Sequence, residues 1–323
     1  MKVIINELNP FNAFYFRTCF LNSFFSIMQK YNINILRVIG DVDVYYSIDQ
    51  NSQLELNFIN DIHFKNLNAD LSKLASKSGM NVEYSNSMDL HIFIKKEIKR
   101  DRPVIAIVDC FYLPYRNDTF EKRHLYHPIL ITGYDDINYH IIDQINDESL
   151  TFDHRIVDFS ILRKAYAAYI ESCKQEYIAG LTSYGYVTTN NLIEDIRRKT
   201  ILVRKENIDV ILNGLESLVQ FKETFCITGE KNSLESIVLI INDIINFLLI
   251  EKQKVVELKY ESDIELLAAN AAVIDFWTAI RREIYMCLIS AKRRTPEAQD
   301  RIINLIDKVY QSERKYYLLF NNK

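Results

Sequence analysis

An α+β fold followed by an α-helical C-terminal region is what the sequence predicts, on three observations. An apolar stretch at helical spacing lies near the N-terminus, three alternating β segments cluster between residues 103 and 144, and beyond about residue 155 the strand signals give way to long amphipathic runs. The 323 residues are enough for a well-buried core and suggest two domains, with a soft boundary between 185 and 205. We place the first domain at 1–195 and the helical one at 196–323.

In chain order, "FYFRTCFLNSFFSIMQK" (14–30) reads as a buried helix starting close to Cys19, with Thr18 and Asn12 as possible caps. "NINILRVIGDVDVYYSI" (32–48) reads as short strands or a passage from helix to strand. Residues 61–78 and 88–100 read as amphipathic helices, the second ending in basic residues that suit a helix C-terminus. The β segments are 103–113, 127–135 and 138–144, the last two joined through "DDI" as a hairpin. Helical stretches follow near 159–180 and 190–225, with "YGYVTT" as one more extended piece. Asn232 is a predicted cap for a helix over 232–260, and "TPE" opens another over 295–320, with Pro296 at its first position. The distal third is expected to be antiparallel helices.

Composition narrows the function. With 48% apolar and 25% charged residues, a net charge of −4 and a pI of about 5.9, the chain has no basic field to hold a phosphate backbone, so nucleic acid is not an expected partner. The longest apolar run, "IVLIINDIINFLLI" (237–250), is interrupted by Asn242, Asp243 and Asn246 and is short for a bilayer; no membrane and a cytoplasmic location are expected. Five scattered cysteines form no CxxC pair, which argues against a disulfide framework or zinc knuckle.

A thiol at a helix N-terminus meets unpaired N–H groups and the positive end of the helix dipole, which favour thiolate. Cys19 fits that position. A nucleophilic thiol also needs a base held by a third group. His127 opens "HPILITGY" and Asp143 closes "YHIIDQ", so an antiparallel pairing across "GYDDIN" brings them to the same end of a sheet. His124 and His127 could instead ligate a metal, or His124 could shape the pocket or be solvated; we expect no metal. Cys110, Cys173, Cys226 and Cys287 have no nearby histidine pattern and read as structural.

The order Cys, His, Asp resembles the papain-like superfamily. Within it, "VDCFYLPYRNDTFEKRHLYHPILITGYDD" is similar to the D-x-x-Y-L-P-Y, H-x-x-H and G-Y-D stretch of the butirosin biosynthesis protein H N-terminal family, over roughly residues 5–150. The resemblance implies a cysteine acyltransferase of antibiotic and nonribosomal peptide or polyketide assembly. It would take an acyl group from the phosphopantetheine thioester of an acyl carrier protein or peptidyl carrier domain and deliver it to a small-molecule amine acceptor, with no cofactor of its own. It further implies Cys19 as nucleophile, His127 as base and Asp143 as orienting carboxylate. Asn12, Asp109, Tyr112, Tyr115 and His124 are then candidates for substrate binding. Papain-like enzymes usually place a Gln about six residues before the nucleophile; here that position is Ala13, and Asn12 lies one residue too early. A cysteine peptidase or amidase, and an inactive binding protein on the same scaffold, are the alternatives. Aromatic walls from "FNAFYF" and "FYLPY" would suit transfer, and the basic clusters "IRRK" (196–199) and "KRRTPE" (292–297) could dock an acidic carrier.

Overall fold

The computed structural model describes residues 2–60, 67–86, 89–145, 150–172, 180–186, 193–227, 231–259 and 263–321. Two compact units result: Met1–Val38 with Ile62–Asn191, and Ile39–Asp61 with Leu192–Lys323.

The first unit is α+β. Its elements are β1 (Val3–Ile4), α1 (Cys19–Lys30) and α2 (Leu36–Ile39), which runs to the unit's edge; then, after β2 (Asp43–Ile48) and β3 (Leu54–Ile59) of the second unit, come α3 (Leu67–Ser78), β4 (Met80–Ser85), α4 (Leu90–Ile98), β5 (Val104–Asp109), β6 (Tyr126–Tyr134), β7 (Asn138–Gln144), β8 (Phe152–Asp158), α5 (Phe159–Ser172) and β9 (Leu181–Tyr186). The sheet runs β4-β9-β5-β6-β7-β8, with β1 added beside β6, and every pairing in it is antiparallel. Strand β5 is buried at each position, as befits the middle of a sheet covered on both faces. The β6–β7 hairpin closes as expected because Asp135 Oδ1 accepts from the N–H groups of Ile137 and Asn138, at 2.9 and 2.8 Å, a side-chain mimic of a turn. At Gly133 an added Cβ would sit 2.5 Å from the Val3 carbonyl oxygen, so only glycine lets β1 lie this close to β6.

Two sequence expectations change here. The segment 103–113 is not strand throughout: β5 stops at Asp109, whose carboxylate caps a 3₁₀ turn, Cys110–Tyr112, through the Phe111 N–H at 3.0 Å. Strands β4 and β8 were not foreseen, and both are edges of the sheet. The helix expected to start close to Cys19 does begin at that residue. Residues 61–66, Cys173 with the rest of 173–179, and the end of "YGYVTT" lie outside the described residues.

The second unit packs the β2–β3 hairpin with α6 (Ile193–Thr224), α7 (Lys231–Leu258), α8 (Asp263–Ile289) and α9 (Pro296–Asn321). The placement of 39–61 in the first domain is thereby corrected, and buried charge is the reason. Arg204 of α6 donates to Asp43 of β2 through Nε at 2.8 Å and to Glu251 of α7 through Nη2 at 2.7 Å. Lys254 reaches Glu251 at 2.7 Å and Tyr316 of α9 donates to it at 2.8 Å. All five side chains are buried, so none tolerates the loss of its partners. Gly214 completes the fit: a Cβ there would meet the Tyr46 backbone nitrogen at 2.9 Å. Pro296 opens α9 as predicted, with Thr295 Oγ1 accepting from the Ala298 N–H at 3.3 Å. The side chain of Asn232 is outside the described residues, and Lys231 already precedes it in α7. Ser233–Leu258 is long and apolar enough to cross a membrane by length and composition, a longer span than the 237–250 run suggested. It also buries Glu251 and Lys254 within this unit.

Candidate active site

Helix α1 is set by its own buried polar residues. Asn22 accepts from the Phe16 N–H at 3.2 Å and donates to the Phe14 carbonyl at 2.8 Å, while Ser26 Oγ accepts from the Phe11 N–H at 2.9 Å. These bonds stitch residues 11–16 onto the helix and give its buried N–H and C=O groups partners they would otherwise lack. The rings of Phe11, Phe14 and Phe25 pack edge to face against one another. The chain then turns sharply at Arg17, whose φ of 61° is the left-handed region, at a cost of about 1–2 kcal/mol. Thr18 caps the helix by accepting from the Leu21 N–H at 3.3 Å, leaving Cys19 as its first residue and partly exposed.

The hairpin supplies the rest. Leu130 pairs with Ile142, which carries His127 and Asp143 toward one end of the β6–β7 ladder. His127 Nε2 and Asp143 Oδ1 are 2.7 Å apart, and both side chains are out of water. Asp143 Oδ1 also accepts from the Gln144 N–H at 2.7 Å, and its Oδ2 from the Tyr115 hydroxyl at 2.8 Å, with Arg116 Nη1 at 3.8 Å. Burial opposes ionisation of Asp143, yet the neighbouring imidazolium and guanidinium and the Tyr115 hydrogen bond outweigh it and hold the carboxyl below its usual range. Burial likewise works against a charged His127, but the Asp143 charge and hydrogen bond, aided by Cys19, push it up to about 10. At neutral pH this histidine is an imidazolium with Nε2 committed to Asp143. Nδ1 is the nitrogen left to face Cys19, whose sulfur is among the groups acting on the ring.

The other sequence candidates divide. Tyr115 belongs to the cluster, as the partner that fixes Asp143. Asn12 is tied to β8: its Nδ2 donates to the Phe152 carbonyl at 3.0 Å and its Oδ1 accepts from the Phe152 N–H at 2.9 Å, anchoring the loop there. Asp109 is buried, with one oxygen on the 3₁₀ turn and the other 2.5 Å from His124 Nδ1. His124 is exposed and stacks on Phe111 at 4.4 Å. Tyr112 lies under the Lys164 ammonium, 4.7 Å from its ring centre. The two histidines are thus drawn to different carboxylates. Of the aromatic walls, Phe11, Phe14 and Phe16 are core, whereas Tyr15 places its hydroxyl 3.7 Å from Cys19 Sγ.

Sequence reasoning passed over Gln144, whose Oε1 is 3.3 Å from Cys19 Sγ, and Arg116, fully buried between Asp118 and Asp143. Arg116 had a local signal, as the residue after the "LPY" turn; Gln144 had none. Cys110 is buried, and desolvation drives its thiol well above the usual value; Cys287 is buried too, whereas Cys226 is exposed. A cavity of about 820 Å³ elsewhere in the unit, lined by His91, Tyr139, Phe159, Arg163 and Lys164 among others, includes none of the residues around Cys19.

No curated protein matches the chain. A solved structure described as a C39-like peptidase from Bacillus anthracis aligns at 15% identity over 58% of this chain and all of its own, with a TM-score of 0.36. Residues 55–144, which hold His127, Asp143, Tyr115, Arg116 and Gln144 but begin after Cys19, match the family model of butirosin biosynthesis protein H, N-terminal.

Proposed function

We propose that the chain is a cysteine-dependent acyltransferase on a papain-like layout, taking an acyl group from a carrier-protein phosphopantetheine thioester and passing it to an amine in natural-product assembly. The observation that carries this reading is the buried His127–Asp143 pair beside a sulfur that begins a capped helix. The match of residues 55–144 to a biosynthesis protein family supports transfer over peptide cleavage.

In this reading Cys19 thiolate attacks the thioester carbonyl, a new C–S bond forms, and the bond to the carrier's sulfur breaks. The leaving thiolate takes the proton from His127, which Asp143 has kept charged. An amine then attacks the acyl-enzyme; neutral His127 accepts its proton as the amide forms, and Cys19 thiolate departs, restoring the ion pair. Two half-reactions through one sulfur make the kinetics ping-pong.

The test is the fate of the acyl-enzyme. Wild-type protein is loaded with an acyl N-acetylcysteamine thioester, freed of excess reagent, and given either buffer or an amine. The acyl-enzyme is expected to persist in buffer and to discharge to amide when amine arrives. Rapid release of free acid together with cleavage of unstructured peptides would contradict transfer and establish the peptidase alternative.

A further inference from the structure

Attack on a carbonyl places negative charge on its oxygen, and a site that accelerates the step needs donors fixed where that charge appears. The Cys19 N–H, at the first position of α1, has no partner within the helix and is one such donor by geometry. A second must come from a side chain. Asn12, nearest in sequence to the usual position, has spent both ends of its amide on Phe152.

Gln144 is the amide that touches the nucleophile. It is buried, ends β7, and lies next to Asp143, whose Oδ1 takes its backbone N–H. Its side chain meets Cys19 Sγ at 3.3 Å. Its place is fixed from the other side as well, because Gln144 pairs in register with Phe152, the residue whose backbone Asn12 grips. Asn12, β8 and β7 thus form one row that holds the Gln144 amide against the first turn of α1. With a protonated thiol the amide oxygen accepts from sulfur. Once the sulfur is a thiolate facing an imidazolium, a half-turn of the amide presents N–H instead, since an oxygen would face negative charge.

Resting on the acyl-transfer reading, we infer that the Gln144 side-chain amide, with the Cys19 N–H, forms the oxyanion hole, so that the donor comes from the end of a strand rather than from the loop before the nucleophile. This assigns Asn12 the role of a positioning residue acting through Phe152.

The test compares two reactions of the same sulfur, in wild type, Gln144→Met and Gln144→Ala, with melting curves to verify folding. Acylation by acetyl N-acetylcysteamine thioester passes through an oxyanion; alkylation by iodoacetamide does not. Gln144→Met keeps the volume without a donor, and should slow acylation by about 10²–10³-fold while leaving alkylation unchanged. Tyr15→Phe, which removes the hydroxyl 3.7 Å from Sγ, should slow acylation far less. Acylation as fast in Gln144→Met as in wild type would overturn the assignment, and so would an equal loss in both reactions. A wild-type protein that is alkylated at Cys19 yet takes no acyl group would overturn the acyl-transfer reading itself, a result distinct from either.

Discussion

Two histidines three residues apart each pair with an aspartate, His124 with Asp109 and His127 with Asp143, at 2.5 and 2.7 Å. Distance alone does not separate them. The His124 side chain is 59% exposed and lies flat on Phe111, whereas the His127 side chain is 6% exposed and is acted on by Cys19. The second oxygen of Asp109 caps a turn; the second oxygen of Asp143 is held by Tyr115, with Arg116 behind it. A carboxylate–imidazole pair becomes a base for chemistry when water is excluded and a nucleophile is in reach, and otherwise it is a structural tie.

The comparison breaks most sharply on removing each imidazole. His127→Ala should lower acyl transfer by about 10²–10⁴-fold in a steady-state assay with unchanged far-UV circular dichroism. Asp143→Asn keeps the shape but exchanges a charge-assisted hydrogen bond for a neutral one, and should cost roughly tenfold to a hundredfold in the same assay. Tyr115→Phe removes one bond to the buried carboxylate and should lower unfolding stability by about 1.5–3 kcal/mol in denaturant titration. His124→Ala should change activity little and stability by no more than about 1 kcal/mol, because water can replace an exposed ring. A larger activity loss from His124→Ala than from His127→Ala would exchange the roles of the two pairs.

Proton linkage sharpens the contrast. Folding raises His127 to about 10, so the folded protein binds a proton the unfolded chain releases near pH 6.5. Its contribution to stability is complete below about 6.5 and is lost as pH rises through about 10. Asp143 is lowered on folding, so its contribution is present above the ordinary carboxylate value and is lost as pH falls through its folded value. Melting temperatures of wild type should therefore fall between pH 7 and 10 more steeply than those of His127→Ala.

What the sequence disclosed and what it concealed follow from locality. Thr18 before Cys19, Pro296 at the head of α9 and the Asp135 turn between β6 and β7 are signals within a few residues, and each element they mark is present. His127 and Asp143 meet because a short hairpin joins them. Strands β4 and β8 were hidden because sheet edges keep polar residues and weaken the alternation that marks a strand, as in "FDHRIVD". Gln144 lies 125 residues from Cys19 in sequence, and Asn12 lies 140 from Phe152. The partnership of Asp43 with Arg204 spans 161, which is why 39–61 read as part of the first domain. No window of local sequence contains both members of such pairs.

The most direct test of the central claim is the intact mass of wild type and Cys19→Ala after incubation with an acyl N-acetylcysteamine thioester. Wild type should gain the mass of one acyl group, mapped by digestion to the peptide containing Cys19, and Cys19→Ala should gain nothing while melting as a folded protein. Equal labelling of the two proteins, or a label mapped to the exposed Cys226, would contradict the assignment of Cys19 as nucleophile.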